Sequence, residues 1–323
     1  MNPYSEKKEK LITKHRRLLL IQELKDIMFF SIFRFFFISL CLIGFWGISG
    51  NASAVEVITI PFTQPDDRRS DYNLDLLKLA LEKSVPEYGA YELKIYELPT
   101  EQLRALRLMK NGRGIDLTWS MTSKEREKEF LPIRIPMQKG LLSHRIFLIK
   151  PENQVAFRNV NTIDDLKTYK AGQGYDWPDT AILKANGLPT TTCSQYQFCF
   201  KMLDEGRFDY FPRGVCEPWG EITEHQDMDF TVEKTIMLRY PSPLYFFVSR
   251  NNPELAKRVE KGLRIALEDG SFDKLFYNHP MMKEAFAKAR LSKRKIIDLK
   301  NPTLPPETPL EDKSLWIDLS KVP

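Results

Sequence analysis

The sequence predicts an α/β protein assembled from two successive series of strands and helices. Three observations carry this expectation. Strand-like and helix-like runs alternate as β-α-β-α-β up to Trp119, and a second alternating series follows Pro151. The 323 residues, 42% of them hydrophobic, are enough for two lobes or one large domain with a real core.

The first strand covers residues 55–60, β-rich and closed by Pro61, and a polar loop with Asp66, Asp67, Arg68 and Arg69 follows. Leu74, Leu77, Ala80 and Leu81 then recur at helical spacing, with Asp71 or Asn73 as N-cap. Residues 93–96 make a short strand, and Thr100 caps a helix carrying Leu103, Leu106 and Met109. A Gly-rich turn at 111–114 leads into the strand at 115–119. In the second series Thr162 and Asp165 form a capping box, residues 169–171 a strand and Gly172-Gln173-Gly174 a tight turn. A helix from Pro178 stops at Gly187. Next come a strand at 190–193, a helix at 198–203 ended by Gly206, and a strand at 208–211. The strand at 245–248 leads into a helix over 253–268 that closes at Asp269-Gly270. Beyond Lys300 five prolines predict an irregular strap, with Trp316 as the residue that pins it.

The N-terminal segment has its own pattern. Residues 35–49 carry no charge, eight Lys/Arg lie upstream, and Ala52-Ser53-Ala54 supplies the small-x-small pattern of a signal peptidase site. Together these predict a secretory signal over residues 1–54, cleaved after Ala54, with an uncleaved anchor helix as the alternative. A start at Met28 gives a signal of ordinary length, so residues 1–27 read as an over-extended start. Leu40 before Cys41 argues against lipidation. Export leaves Cys193, Cys199 and Cys216 in an oxidising compartment, for which one disulfide and one free thiol is the simple expectation. Cys193 with Cys216 is the preferred pair, because each ends a predicted neighbouring strand. Three buried reduced cysteines are the alternative.

Several segments, in this order, resemble the extracellular solute-binding proteins of the polar amino-acid type (family 3), the periplasmic receptors of ABC importers. The segments are residues 116–126, the opening Asn161-Thr162-Ile163-Asp164-Asp165-Leu166-Lys167, the turn Gly206-Arg207-Phe208-Asp209, and the helix from Asn252-Pro253-Glu254-Leu255 to Asp269-Gly270-Ser271. The resemblance spans residues 55–280. It implies a type II periplasmic-binding fold: two lobes, each a mostly parallel sheet flanked by helices, joined by two hinge strands and closing on a ligand. The crossings fall near 140–145 and 239–245. One lobe is then 55–141 plus 244–323 with the strap, and the other is 142–243.

The same resemblance directs attention to particular residues. Arg126 in Ser123-Lys124-Glu125-Arg126 matches the stretch whose arginine takes a ligand carboxylate in a bidentate grip; pairing with Glu125 or Glu129 is the alternative. Thr118, Trp119 and Ser120 sit where a strand leaves its sheet, the edge at which open α/β sheets bind ligands. Trp119 is either cleft wall or core. Gly174 and Thr180 flank a strand–helix connection that could present N–H groups to an anion, and Trp177 beside them could stack on a ligand. Arg68 and Tyr72 are first-loop candidates. Amino-acid binders commonly carry an acid after the Gly206–Asp209 turn, but here Arg213 and Gly214 stand there, with Glu217 nearby. A cation repels an ammonium, so the expectation shifts from a simple α-amino acid to a carboxylate-rich ligand facing Arg126 and Arg213. A structural ion pair is the alternative for Arg213.

Catalytic chemistry finds little support: His144, His225 and His279 lack metal-ligand spacing, and no nucleophile or phosphate-loop motif occurs. The sequence therefore predicts a monomeric periplasmic binding protein without cofactor or metal. Its partners are a small molecule and an inner-membrane permease or sensor. The alternative is a dehydratase or cell-wall lyase on the same fold, with Glu217 as its only plausible acid. The formal charge of +5 belongs mostly to the leader, since residues beyond Ala54 hold 40 basic and 39 acidic side chains. Nucleic acid thus loses its electrostatic support as a partner.

Overall fold

The computed structural model describes Met28 and residues 55–62, 69–319 and 322. The chain divides into two compact units, Met1–Ser53 and Ala54–Pro323, and the second contains every element below. The signal segment, its cleavage site, Asp66, Asp67 and Arg68 lie outside the described residues, Met28 apart.

The elements are β1 (Glu56–Phe62), α1 (Arg69–Tyr88), β2 (Tyr91–Pro99), α2 (Gln102–Lys110), β3 (Leu117–Met121), α3 (Lys124–Glu129), β4 (Phe130–Ile133) and β5 (His144–Ile149). There follow α4 (Gln154–Phe157), α5 (Ile163–Leu166), β6 (Ala171–Gly174), α6 (Pro178–Ala185), β7 (Thr190–Cys193), α7 (Tyr196–Asp204), β8 (Phe211–Gly214) and α8 (Pro218–Glu224). Last come β9 (Thr231–Val232), β10 (Ile236–Arg239), β11 (Leu244–Ser249), α9 (Pro253–Glu268), α10 (Ser271–Asn278), α11 (Pro280–Ala289) and β12 (Lys295–Asp298).

The result is a two-lobed α/β fold. Strands joined through a helix pair in parallel, as β1 with β2 and β6 with β7. The returning strands β5 and β11 pair antiparallel: β11 lies between β3 and β4, and β5 between β8 and β10. Thr162 and Asp165 form the expected capping box at α5. α10, α11 and β12 were not predicted; the apolar stripe continues past Gly270 through Phe272, Phe276, Met282 and Phe286, all buried. β12 pairs in parallel with β10, so residues 244–323 do not stay on one side as expected.

Close helix packing organises the first core. Leu255, Val259, Leu263 and Ala266 form one buried stripe on α9, which packs on α1. At Gly262 the approach is so close that a Cβ would stand 1.8 Å from the Ala80 carbonyl oxygen. Buried Arg258 ties this helix to the sheet, donating to Glu56 at 2.6 Å and to the Gly89 carbonyl at 2.6 Å.

The disulfide corrects an expectation. Cys193 bonds Cys199, not Cys216, with Cα atoms 5.3 Å apart. Cys193 ends β7 and Cys199 lies in the first turns of α7, so the short β–α connection brings them together. Cys216 is a buried free thiol whose pKa burial pushes up. One disulfide and one free thiol is the expected count.

The strap beyond β12 touches both segments where the chain crosses between sheets. The Leu299 N–H donates to the Arg239 carbonyl at 2.9 Å, and the Asn301 amide to the Pro241 carbonyl at 2.7 Å. The Lys124 N–H then donates to the Thr303 carbonyl, at the start of α3. Farther on, Trp316 packs on Gly140, and the Ile317 N–H donates to the Lys139 carbonyl at 2.7 Å. Among the described residues, no helix is long and apolar enough to cross a membrane.

Candidate functional site

A cavity of about 960 Å³ opens between the β3 edge and the β6–α6 and β8–α8 connections. The end of β3 contributes Thr118, Trp119 and Met121, and the start of α2 contributes Gln102. Trp119 is held edge-on against Phe246, so one side of its indole meets the core while it lines the cavity. Ser123 caps α3 by accepting from the Arg126 N–H, which turns Arg126 back toward β3. The Arg126 guanidinium donates to the Ser120 hydroxyl, the Met121 carbonyl at 2.8 Å, Gln102 Oε1 at 2.8 Å and the Asp176 carbonyl at 3.2 Å. All four acceptors are neutral, and burial brings its pKa down to about 10. Gln102 and Met121 form the cavity wall in front of it.

The opposite wall starts at β6. The turn expected at 172–174 is a strand, and the Gly172 N–H donates to the Tyr210 carbonyl at 2.8 Å. The Gly172 N–H and, just past the strand, the Tyr175 N–H, which donates to the Cys193 carbonyl at 3.0 Å, are thus taken up by neighbouring strands. Gly174 does not line the cavity. A Cβ on it would stand 2.6 Å from the Trp177 ring, so the glycine lets the indole lie against β6. Thr180 is buried with its hydroxyl on the Gly174 carbonyl at 2.7 Å. Trp177 lines the cavity and stacks on Phe211 with ring centroids 6.2 Å apart. Between these glycines, Gln173 is 1% exposed and lines the cavity. Its Nε2 donates to the Pro212 carbonyl at 3.4 Å, while Oε1 is a buried acceptor without a partner.

Two ion-pair clusters complete the site. Arg145 on β5 reaches Asp179 at 2.8 Å and donates to the Tyr240 hydroxyl at 3.0 Å, which in turn donates to Asp179 at 2.6 Å. Burial alone would raise the Asp179 pKa, but Arg145 and the Tyr240 hydroxyl hold it below its ordinary value. Arg213 on β8 makes a close contact with Glu221, donating from Nε at 2.8 Å and Nη2 at 2.6 Å, and lies 3.2 Å from Glu217. Its guanidinium also sits 5.1 Å from the Trp177 centroid and 4.6 Å from that of Phe211. The structural ion pair is therefore the arrangement Arg213 adopts.

Of the sequence candidates, Thr118, Trp119, Trp177, Arg213 and Glu217 come together on the cavity wall. Arg126, Ser120, Gly174 and Thr180 support that wall from behind. Tyr72 is a core residue instead, buried with its hydroxyl donating to the Met137 carbonyl at 2.7 Å, because α1 turns its ring inward against Phe276. Arg68 lies outside the described residues. The sequence reading missed Gln102, Gln173 and the Arg145–Asp179 pair. Their signal was weak: Gln102 and Asp179 are polar side chains in helical runs, Arg145 precedes an apolar run, and the glycines around Gln173 drew the reading to the backbone rather than to its side chain.

No protein-family model matches the chain, and no curated protein sequence matches it. Solved structures do. An ancestral arginine-binding protein bound to arginine superposes with a TM-score of 0.51 at 17% identity, over 69% of this chain and 96% of the other. The amino-acid ABC transporter substrate-binding protein AbpA of Streptococcus pneumoniae, bound to L-arginine, gives 0.51 at 16% identity, over 71% and 95%. A structure concerning glutathione import via GshT and the cystine ABC importer TcyBC of Streptococcus mutans gives 0.51 at 14%, over 70% and 95%. This chain shares their two-lobed fold. At such identities the likeness concerns the fold alone.

Proposed function

We propose that this chain is an exported solute-binding protein that holds one small polar ligand between its lobes and presents it to an ABC importer in the inner membrane. The observation that carries this reading is the cavity of about 960 Å³, walled from two sheets by aromatic rings, amides and paired charges. The fold shared with substrate-binding proteins of ABC importers supports it. In this reading the lobes are 55–141 with most of 244–323, and 142–243. The crossings lie near 140–145 and 239–245, and closure is the response to ligand.

The ligand was expected to bear a carboxylate, gripped by Arg126 and Arg213. Both guanidiniums are now engaged by protein acceptors, as is that of Arg145. A ligand carboxylate would have to displace one of these contacts.

A thermal-shift screen of amino acids, dicarboxylates, amines and peptidoglycan fragments tests the reading. A ligand present at one hundred times its Kd stabilises the folded state by about 2.7 kcal/mol. The expected result is a clear rise in melting temperature for one chemical class. A flat response across all classes would overturn the solute-binding role.

A further inference from the structure

We infer that the cavity takes an organic cation carrying amines on a short methylene chain and no carboxylate. This rests on the solute-binding reading above and names its ligand class. Three observations lead to it.

The first is charge placement. Arg213 sits between two carboxylates, Glu221 at 2.6 Å and Glu217 at 3.2 Å, so that cluster has a formal excess of one negative charge. Glu221 is sealed behind the arginine at 1% exposure, whereas the Glu217 side chain is 19% exposed and lines the cavity. The excess therefore reaches the cavity at Glu217, whose Oε2 accepts from the Gly214 N–H at 2.5 Å and whose Oε1 lies 3.2 Å from Arg213. Arg145 and Asp179 cancel each other. Burial lowers the pKa of His225, so this lining residue adds no positive charge near neutral pH.

The second is an acceptor in want of a donor. Gln173 lines the cavity almost wholly buried, its Nε2 donating to the Pro212 carbonyl at 3.4 Å while Oε1 is left unpartnered. A buried orphan acceptor is costly, and an ammonium N–H satisfies it. The third is the walls. Trp177 and Tyr196 line the same side of the cavity and already hold the Arg213 guanidinium at 5.1 and 5.7 Å from their centroids, so what they add for a ligand is apolar surface for its methylenes. Among the described residues, the lining arginines Arg145 and Arg213 are both paired with carboxylates, and Arg126 stands behind the wall with its guanidinium on four neutral acceptors.

Titration calorimetry with two matched pairs tests the assignment: cadaverine against lysine, and agmatine against arginine. Each pair differs only by a carboxylate. The expected result is that each amine binds at least tenfold more tightly than its amino acid. Glu217→Gln should weaken amine binding at least tenfold. Gln173→Leu should also weaken it while leaving the unliganded melting temperature close to that of the parent, since a side chain of similar size removes the unpartnered Oε1 at the cost of one long 3.4 Å contact to the Pro212 carbonyl. Tighter binding of the amino acids would overturn the ligand class yet leave the solute-binding role standing. So would binding of none of the four by a protein that responds to another compound in the thermal screen. Amine binding unchanged in both variants would overturn the subsite.

Discussion

Arg213 shows how a residue type can be legible while its role is not. The sequence marks Arg213 as a cation near the expected cleft, and it lines the cavity. What the sequence does not reveal is that Glu217 and Glu221, four and eight residues on at the start of α8, both turn back onto it. Arg126 is similar: the arginine is legible in its Ser-x-x-Arg stretch, but the turn that the Ser123 cap sets aims the guanidinium at backbone carbonyls. Gln173 could be found only in three dimensions, because an unpartnered atom has no sequence signature. His144 supports a prediction at this scale. Burial first, then Arg239 and Arg145, push its pKa down to about 4 from an ordinary 6.5 or so. The folded ring stays neutral where the unfolded one takes up a proton. Stability is therefore full above about pH 6.5 and falls by about 3 kcal/mol as pH drops toward 4. Urea unfolding at pH 7 and pH 4.5 checks this. His144→Gln should flatten the difference, and an equal loss in both proteins would refute it.

At the scale of elements, periodicity located most helices and strands because each buries one face. The errors have local causes. Residues 172–174 look like a turn by composition, yet the Phe208 and Trp177 rings need those glycines within a strand. Cys193 pairs with Cys199 rather than Cys216 because strand ends in sequence do not encode which side of the sheet they reach. Two variants test the packing. Gly262→Ala forces a methyl to within 1.8 Å of the Ala80 carbonyl, so α9 must shift away from α1, costing about 1–3 kcal/mol in denaturant unfolding. Cys199→Ser opens a link across a sequence separation of 6, and chain entropy sets the loss near 2 kcal/mol. Alkylation of the folded protein should modify Cys216 slowly, since it is buried.

At the scale of the molecule, the order of segments made the two-lobed fold legible, but the return of the C-terminus did not emerge from it. β12 joins the sheet of β5 and β10, and the strap then comes back to Lys124 and Gly140. Prolines foretold its irregular path, and Trp316 its anchor; the parallel pairing of 295–298 with 236–239 is a long-range contact that no local pattern encodes. Trp316→Ala removes a half-buried ring from Gly140 and the hydrogen bond to the Pro309 carbonyl at 2.8 Å. It should lower stability by about 2 kcal/mol and speed amide exchange at residues 139–145; unchanged exchange there would refute the anchoring role. The central claim concerns the cavity. Isothermal titration of the parent and of a Trp177→Ala, Glu217→Gln double variant, with the compound giving the largest thermal shift, tests it most directly. The account predicts one ligand per chain for the parent and at least a tenfold loss of affinity in the variant. A parent that binds nothing, or a variant that binds as the parent does, would contradict it.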